Sequence, residues 1–294
     1  MDSCFELSPD RRYLRYNISL GEGSLKEVFK TFDTINGKMV AWNKICKLEI
    51  PLIYEKNIIN EINILKEIQG KNNYIINTYS AWFNNELDEY NFITELVSGG
   101  NLHDYINNNK LIKINLIKKW SYQILQGINF LHKNEIIHRD IKPNNIFLDL
   151  HTGDIKIGDF GFAIKFNEID NKLIGTPQFM ALEIIEGSYN YKVDIYAFGM
   201  TLLQLSTNKI PYTECKTKEG IWKKLINGEK PFLLDDQQIP SYIYDLINKS
   251  IDNVDSRYEI NTILQHEFFS INDDTILNYS NVLCYENSNK HSPV

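Results

Sequence analysis

The sequence predicts an α+β protein in two parts. A small strand-rich part runs to about residue 97, a larger helical part covers 98–270, and a short polar tail covers 271–294. Three observations carry this. The chain has 294 residues, enough for more than one core. Apolar runs of strand length, 39–45 and 92–97, fall in the first hundred residues, and Ser98-Gly99-Gly100 breaks the chain directly after them. A long stripe at helical spacing, Ile117, Trp120, Ile124, Ile128 and Leu131, falls beyond that break.

Composition narrows the class. Hydrophobic residues make up 43% and charged ones 23%, the balance of a globular chain. A net charge of -7 gives no electrostatic footprint for nucleic acid or an anionic membrane, so any anion site must be local. Cys4, Cys46, Cys215 and Cys284 lack paired metal spacing and suit reduced thiols. The first residues do not read as a secretory signal, and no apolar run is long enough for a bilayer. A cytoplasmic protein is expected, without nucleic-acid or membrane partners and with its oligomeric state left open.

The elements follow in order. Gly21 and Gly23 lie in a glycine-bearing turn between two strands, where the backbone could approach an anion closely. The next strand, 39–45, has side chains that alternate between faces, so Ala41 and Asn43 share one side and Lys44 takes the other. Applied to the preceding strand, the same alternation puts Lys26 on the face of Val28. Ile58, Ile62, Leu65 and Ile68 then predict a helix that Gly70 stops and that carries Glu61. Strand 92–97 ends the first part. The stripe from Ile117 to Leu131 marks a helix leading into the most informative stretch of the chain.

That stretch reads His138-Arg139-Asp140-Ile141-Lys142-Pro143-Asn144-Asn145, with Asp159-Phe160-Gly161 downstream. It offers a carboxylate, an ammonium, a carboxamide and a second carboxylate in the order phosphoryl transfer uses. Asp140 could take a proton from an attacking hydroxyl and Lys142 could sit against the moving phosphate. Asn145 and Asp159 could hold magnesium ions that bridge the phosphates. Residues 146–148 and 155–157 read as two strands around a turn containing Gly153, which would bring both ligands to one side of a hairpin.

With these residues in place the chain resembles a protein kinase, and Lys142, two residues after Asp140, resembles the serine/threonine branch. The resemblance implies a bilobal kinase fold with ATP and Mg2+ at the hinge. It also implies that Val28 and Ala41 enclose the adenine base, that the backbone of Glu95 and Val97 binds its edge, and that Thr94 guards the back of the pocket. Most kinases have a lysine where Asn43 stands. That substitution is the signature of the WNK (with-no-lysine) kinases. Gly23-Ser24-Leu25-Lys26, Val40-Ala41-Trp42, Ile174-Gly175-Thr176-Pro177 and Pro211-Tyr212-Thr213-Glu214-Cys215 are also similar to that family. The resemblance covers roughly residues 8 to 270. It implies that Lys26 supplies the missing charge from the glycine turn with Glu61 positioning it, and that protein substrates, a downstream kinase among them, accept the phosphate. It further implies that Thr176 bridges Asp140 and Lys142, that Asp194 braces the catalytic stretch, and that Arg257 pairs with Glu183. His132 and His103 read as structural. The alternative is a pseudokinase, a nucleotide-binding scaffold, suggested by Asn43, the missing third glycine and the altered activation loop.

The sequence departs from the family at several points. Residues 162–174 contain no hydroxyl, whereas WNK kinases carry activating serines there. Glu168 and Asp170 could supply fixed negative charge near Arg139 in place of a phosphate, or could simply be solvated. Phe160 replaces the leucine beside which WNK kinases bind chloride, and fills that space. Leu182 replaces a proline.

Overall fold

A computed structural model describes residues 4–22, 26–49, 52–169, 172–232 and 239–278. The chain divides into two compact units, Met1–Ser98 and Gly99–Val294.

The first unit is a six-stranded antiparallel sheet, ordered β1-β2-β3-β4-β6-β5, with one helix. The strands are β1 Cys4–Leu7, β2 Tyr13–Glu22, β3 Glu27–Asp33, β4 Lys38–Cys46, β5 Thr78–Asn84 and β6 Glu89–Glu95. Register sorts the side chains onto two faces. Val28 is opposite Asn43, Asn43 opposite Phe92, and Ala41 opposite Thr94, so these five share one face. The alternate residues Val40, Trp42 and Ile93 bury fully against Tyr13 on the other face, where Tyr79 and Trp82 cover them. Asp33 closes the β3–β4 turn: its carboxylate accepts from Arg12 Nε at 2.9 Å and from the amides of Ile35 and Asn36. The Arg12 guanidinium holds that carboxyl well below the usual carboxylate range.

Helix α1, Leu52–Ile68, forms as its apolar spacing predicts, with Ile58, Ile62, Leu65 and Ile68 all at most 8% exposed. Gly70, left-handed at φ +68°, ends it, and its amide donates to Asn77 Oδ1.

The second unit is mostly helical. Its helices are α2 Leu102–Asn108, α3 Ile114–Lys133, α4 Leu182–Glu186, α5 Lys192–Thr207, α6 Lys218–Ile226, α7 Ser241–Ser250, α8 Ile260–Leu264 and α9 Glu267–Ser270. Short strands β7 Leu111–Lys113, β8 Ile136–Ile137, β9 Ile146–Asp149, β10 Asp154–Ile157, β11 Ile164–Lys165 and β12 Ile276–Asn278 lie between and after them. In α3 the whole predicted stripe is fully buried. Helix α5 is buried all round from Val193 to Ser206 and forms the middle of the core. Gly199 permits its close approach to α7, since a Cβ there would lie 2.6 Å from Ile251 Cγ2 and 2.7 Å from Ser250 Cβ.

Strands β9 and β10 form the hairpin expected from their sequence, with Gly153 left-handed in the turn. Where the sequence suggests a polar tail from 271, the structure instead pairs β12 with β7, and Asn115 Nδ2 donates to Asn272 and Asp274. No helix among the described residues is long and apolar enough to cross a membrane.

Candidate active site

The second unit gathers the catalytic stretch around Asp140, which is 3% exposed. Oδ1 accepts from the amide of Thr176 at 3.1 Å and from its hydroxyl at 2.6 Å. Oδ2 accepts from Lys142 Nζ and from Asn145 Nδ2, both at 2.7 Å. Lys142 Nζ also donates to Thr176 Oγ1 at 2.6 Å, so the threonine bridges carboxylate and ammonium. Asn145 donates a second bond to the Asp140 carbonyl. Its Oδ1 is left without a protein donor among the described residues. Gly175 brings the Thr176 segment close: at φ +126° a Cβ there would meet the Arg139 carbonyl at 2.9 Å.

The stretch is fixed from beneath by Asp194, fully buried on α5. It accepts from the amides of His138 and Arg139 and lies against His132 Nε2, each at 2.9 Å. Burial alone would raise its pKa, but the bond to His132 and the nearby histidines outweigh that and hold it below the ordinary value. His138 is set by its own partners. Nε2 faces the Gly158 carbonyl at 3.1 Å and Nδ1 faces the Asp140 amide, which together select the tautomer protonated on Nε2.

Phe160 is fully buried, its ring 4.8 Å from His138. Asp159 between Gly158 and Phe160 is exposed and left-handed at φ +57°, and Arg139 is left-handed at φ +65°. Such conformations are uncommon outside glycine and concentrate at functional sites. Arg139 donates to the Phe162 carbonyl and to Tyr189 Oη, both at 2.7 Å. Glu168 is exposed in the 3-10 turn Phe166–Glu168, and Asp170 lies outside the described residues. Arg257 forms a buried two-bond pair with Glu183 on α4.

The first unit holds the other predicted residues. Lys26 Nζ lies 3.2 Å from Glu61 Oε1 and over the ring of Phe92, which is on the Val28–Ala41–Asn43 face. Glu61 is buried and Lys26 is partly covered. Asn43 is buried, and its Nδ2 donates to Thr94 Oγ1 at 3.1 Å and to the Phe92 carbonyl at 3.3 Å. Lys44, on the opposite face, lies between Glu6 and Glu89 at 3.2 and 2.9 Å. Gly21 is in β2 opposite Val28, whereas Gly23 lies outside the described residues.

At the end of β6, the Glu95 amide donates to the Asn77 carbonyl, and its Oε1 accepts from the Asn77 amide. Val97 follows in irregular chain. Sequence reasoning missed Asn77, which ties the end of α1 to the end of β6, and Tyr189, which holds Arg139. Neither has a local signal, because both act on residues distant in sequence.

Among the described residues no three His, Cys, Asp or Glu groups converge on a metal position. The oxygen donors Asn145 and Asp159 instead suit magnesium, which takes few protein ligands and completes its shell with phosphate and water.

Comparison with known proteins agrees with this geometry. The protein kinase domain model matches residues 14–269. The serine/threonine-protein kinase WNK8 of Arabidopsis thaliana is 39% identical over 247 residues, which is 81% of this chain and 43% of that protein. The chain thus spans less than half the length of that relative. By its matched domain and by this similarity, the chain belongs to the protein kinase family and, within it, to the WNK serine/threonine kinases.

Proposed function

We propose that the protein transfers the γ-phosphate of ATP to serine or threonine hydroxyls of proteins, a downstream kinase among them, in the cytoplasm. The observation that supports this most is the Asp140 carboxylate held by Lys142, Asn145 and Thr176. Asp140 orients the attacking hydroxyl and takes its proton, and Lys142 steadies the transferring phosphate. Lys26, positioned by Glu61, neutralises the phosphates. Val28 and Ala41 enclose the base, the backbone of Glu95 and Val97 binds its edge, and Gly21 and Gly23 let the chain approach the phosphates. Asn145 and Asp159 would hold Mg2+, whose charge offsets that of the β- and γ-phosphates.

The pseudokinase reading draws on the neutral Asn43 at the usual lysine position, the missing third glycine and the altered segment 162–174. Phosphate transfer from ATP and magnesium onto a generic protein substrate, with wild type, Lys26→Met and Lys44→Met in parallel, separates the two. Transfer that disappears with Lys26→Met and survives Lys44→Met supports the proposal. ATP binding without transfer by wild type supports the scaffold.

A further inference from the structure

We propose that Phe166 and Tyr191 form an aromatic clasp that makes both of them positioning residues for phosphate transfer at Asp140. Their rings stack nearly parallel, 13° apart with centroids 4.5 Å from each other, an arrangement that aromatic pairs favour when offset. Phe166 stays 39% exposed, and the ring contact it makes among the described residues is this one. A core position does not account for the side chain, whereas the stack does.

The two rings arrive on different elements. Ile164 and Lys165 of β11 pair with Ile137 and Ile136 of β8, directly before His138. The Phe166 amide then donates to the Glu135 carbonyl at 2.8 Å, and Lys165 Nζ donates to the Asn134 carbonyl at 3.3 Å. Tyr191 stands just before α5, and its ring also lies 5.0 Å from that of His132. His132 faces Asp194, whose carboxylate accepts from the His138 and Arg139 amides. The clasp therefore joins the start of segment 162–174 to the same support that holds the catalytic stretch.

What it adds is registration. Thr176, ten residues beyond Phe166, bonds Asp140 Oδ1 through both its amide and its hydroxyl. A two-residue ladder is a weak anchor alone. Each further residue left unanchored before Thr176 adds conformational entropy that the bonds to Asp140 must offset. Residues 162–174 contain no hydroxyl, so the segment carries no phosphate of its own to anchor it, and the stack serves in that place. The rate effect rests on the kinase reading, whereas the anchoring does not.

The test compares Phe166→Leu, Tyr191→Leu and their double variant with Phe166→Tyr, which keeps a ring. Thermal unfolding first verifies that each one folds; should Tyr191→Leu fail to, the two Phe166 variants decide by themselves. Phe166→Leu should lower kcat about three- to tenfold and leave the KM for ATP unchanged, and the double variant should lose no more than either single one. Phe166→Tyr should keep the wild-type kcat. An undiminished kcat in Phe166→Leu would show that apolar bulk suffices and would overturn the clasp. Losses that add in the double variant, or a Phe166→Tyr no better than Phe166→Leu, would do the same. Limited trypsin digestion reads the anchoring directly: cleavage after Lys165 should be several-fold faster in the leucine variants than in wild type or Phe166→Tyr. Faster cleavage without a change in an otherwise measurable rate would overturn the positioning role. Absence of any transfer by wild type would count against the kinase reading, while the trypsin rates still decide the clasp, equal rates overturning it and faster cleavage of the leucine variants supporting it.

Discussion

Lys26 and Lys44 differ in what a single methionine would remove. Lys44 sits between two glutamates on the face away from Asn43, so Lys44→Met should cost about 1 kcal/mol of stability, read by urea unfolding, with transfer largely retained. Lys26→Met removes the cation beside the buried Glu61 carboxylate and should lower kcat roughly 10²–10³-fold, with a drop in the unfolding midpoint as well. Asn43→Lys should not rescue it, because the amide is buried and bonded to Thr94 and Phe92, and an ammonium there loses both its water and those bonds. Phe160, sealed against His138, leads to a further expectation: transfer rates should match in chloride and in gluconate of equal ionic strength, and inhibition by chloride alone would refute it. The residues around Asp140 were legible because the chemistry dictates their types and short spacings. Tyr189 and Asn77 were not, since their partners are brought to them by the fold.

Elements were legible where one periodicity dominated. The stripes of α1 and α3, and the hairpin of β9 and β10 around Gly153, follow directly from their patterns. Strand β12 did not, because three residues of exposed or half-buried pattern carry no signal until β7 is beside them. A chain ending at residue 270 should therefore unfold several degrees below one ending at 278, since it loses β12, the Tyr242–Asp273 bond and the Asn115 contacts. Equal melting temperatures would show that β12 contributes nothing. Gly199→Ala tests the contact of α5 with α7: its methyl has no room against Ile251 and Ser250, and a loss of about 1–3 kcal/mol is expected.

For the molecule as a whole, acid is the informative stress. Asp33 and Asp194 both have folded pKa values below the ordinary one, so each contributes stability that is fully present above about pH 4 and lost as pH falls through the folded value. Stability measured by urea unfolding should climb between pH 2 and 5 and then level. Asp194→Asn should flatten that climb and destabilise the chain at neutral pH, because an amide satisfies the His138 and Arg139 amides less well than a carboxylate. The boundary between the two units, between Ser98 and Gly99, lies within the Ser98-Gly99-Gly100 stretch that separates the two apolar patterns of the sequence.

Asp140 has a further consequence for the order of events. A carboxylate offers about four lone-pair sites, and here each oxygen already receives two donors. The resting carboxylate is thus coordinatively full, and a hydroxyl reaches it by ligand exchange rather than by filling a vacancy. Lys142 is the ligand with an alternative destination, since an arriving phosphate competes for its ammonium. In the proposed reaction, nucleotide binding vacates the seat that the acceptor hydroxyl then takes.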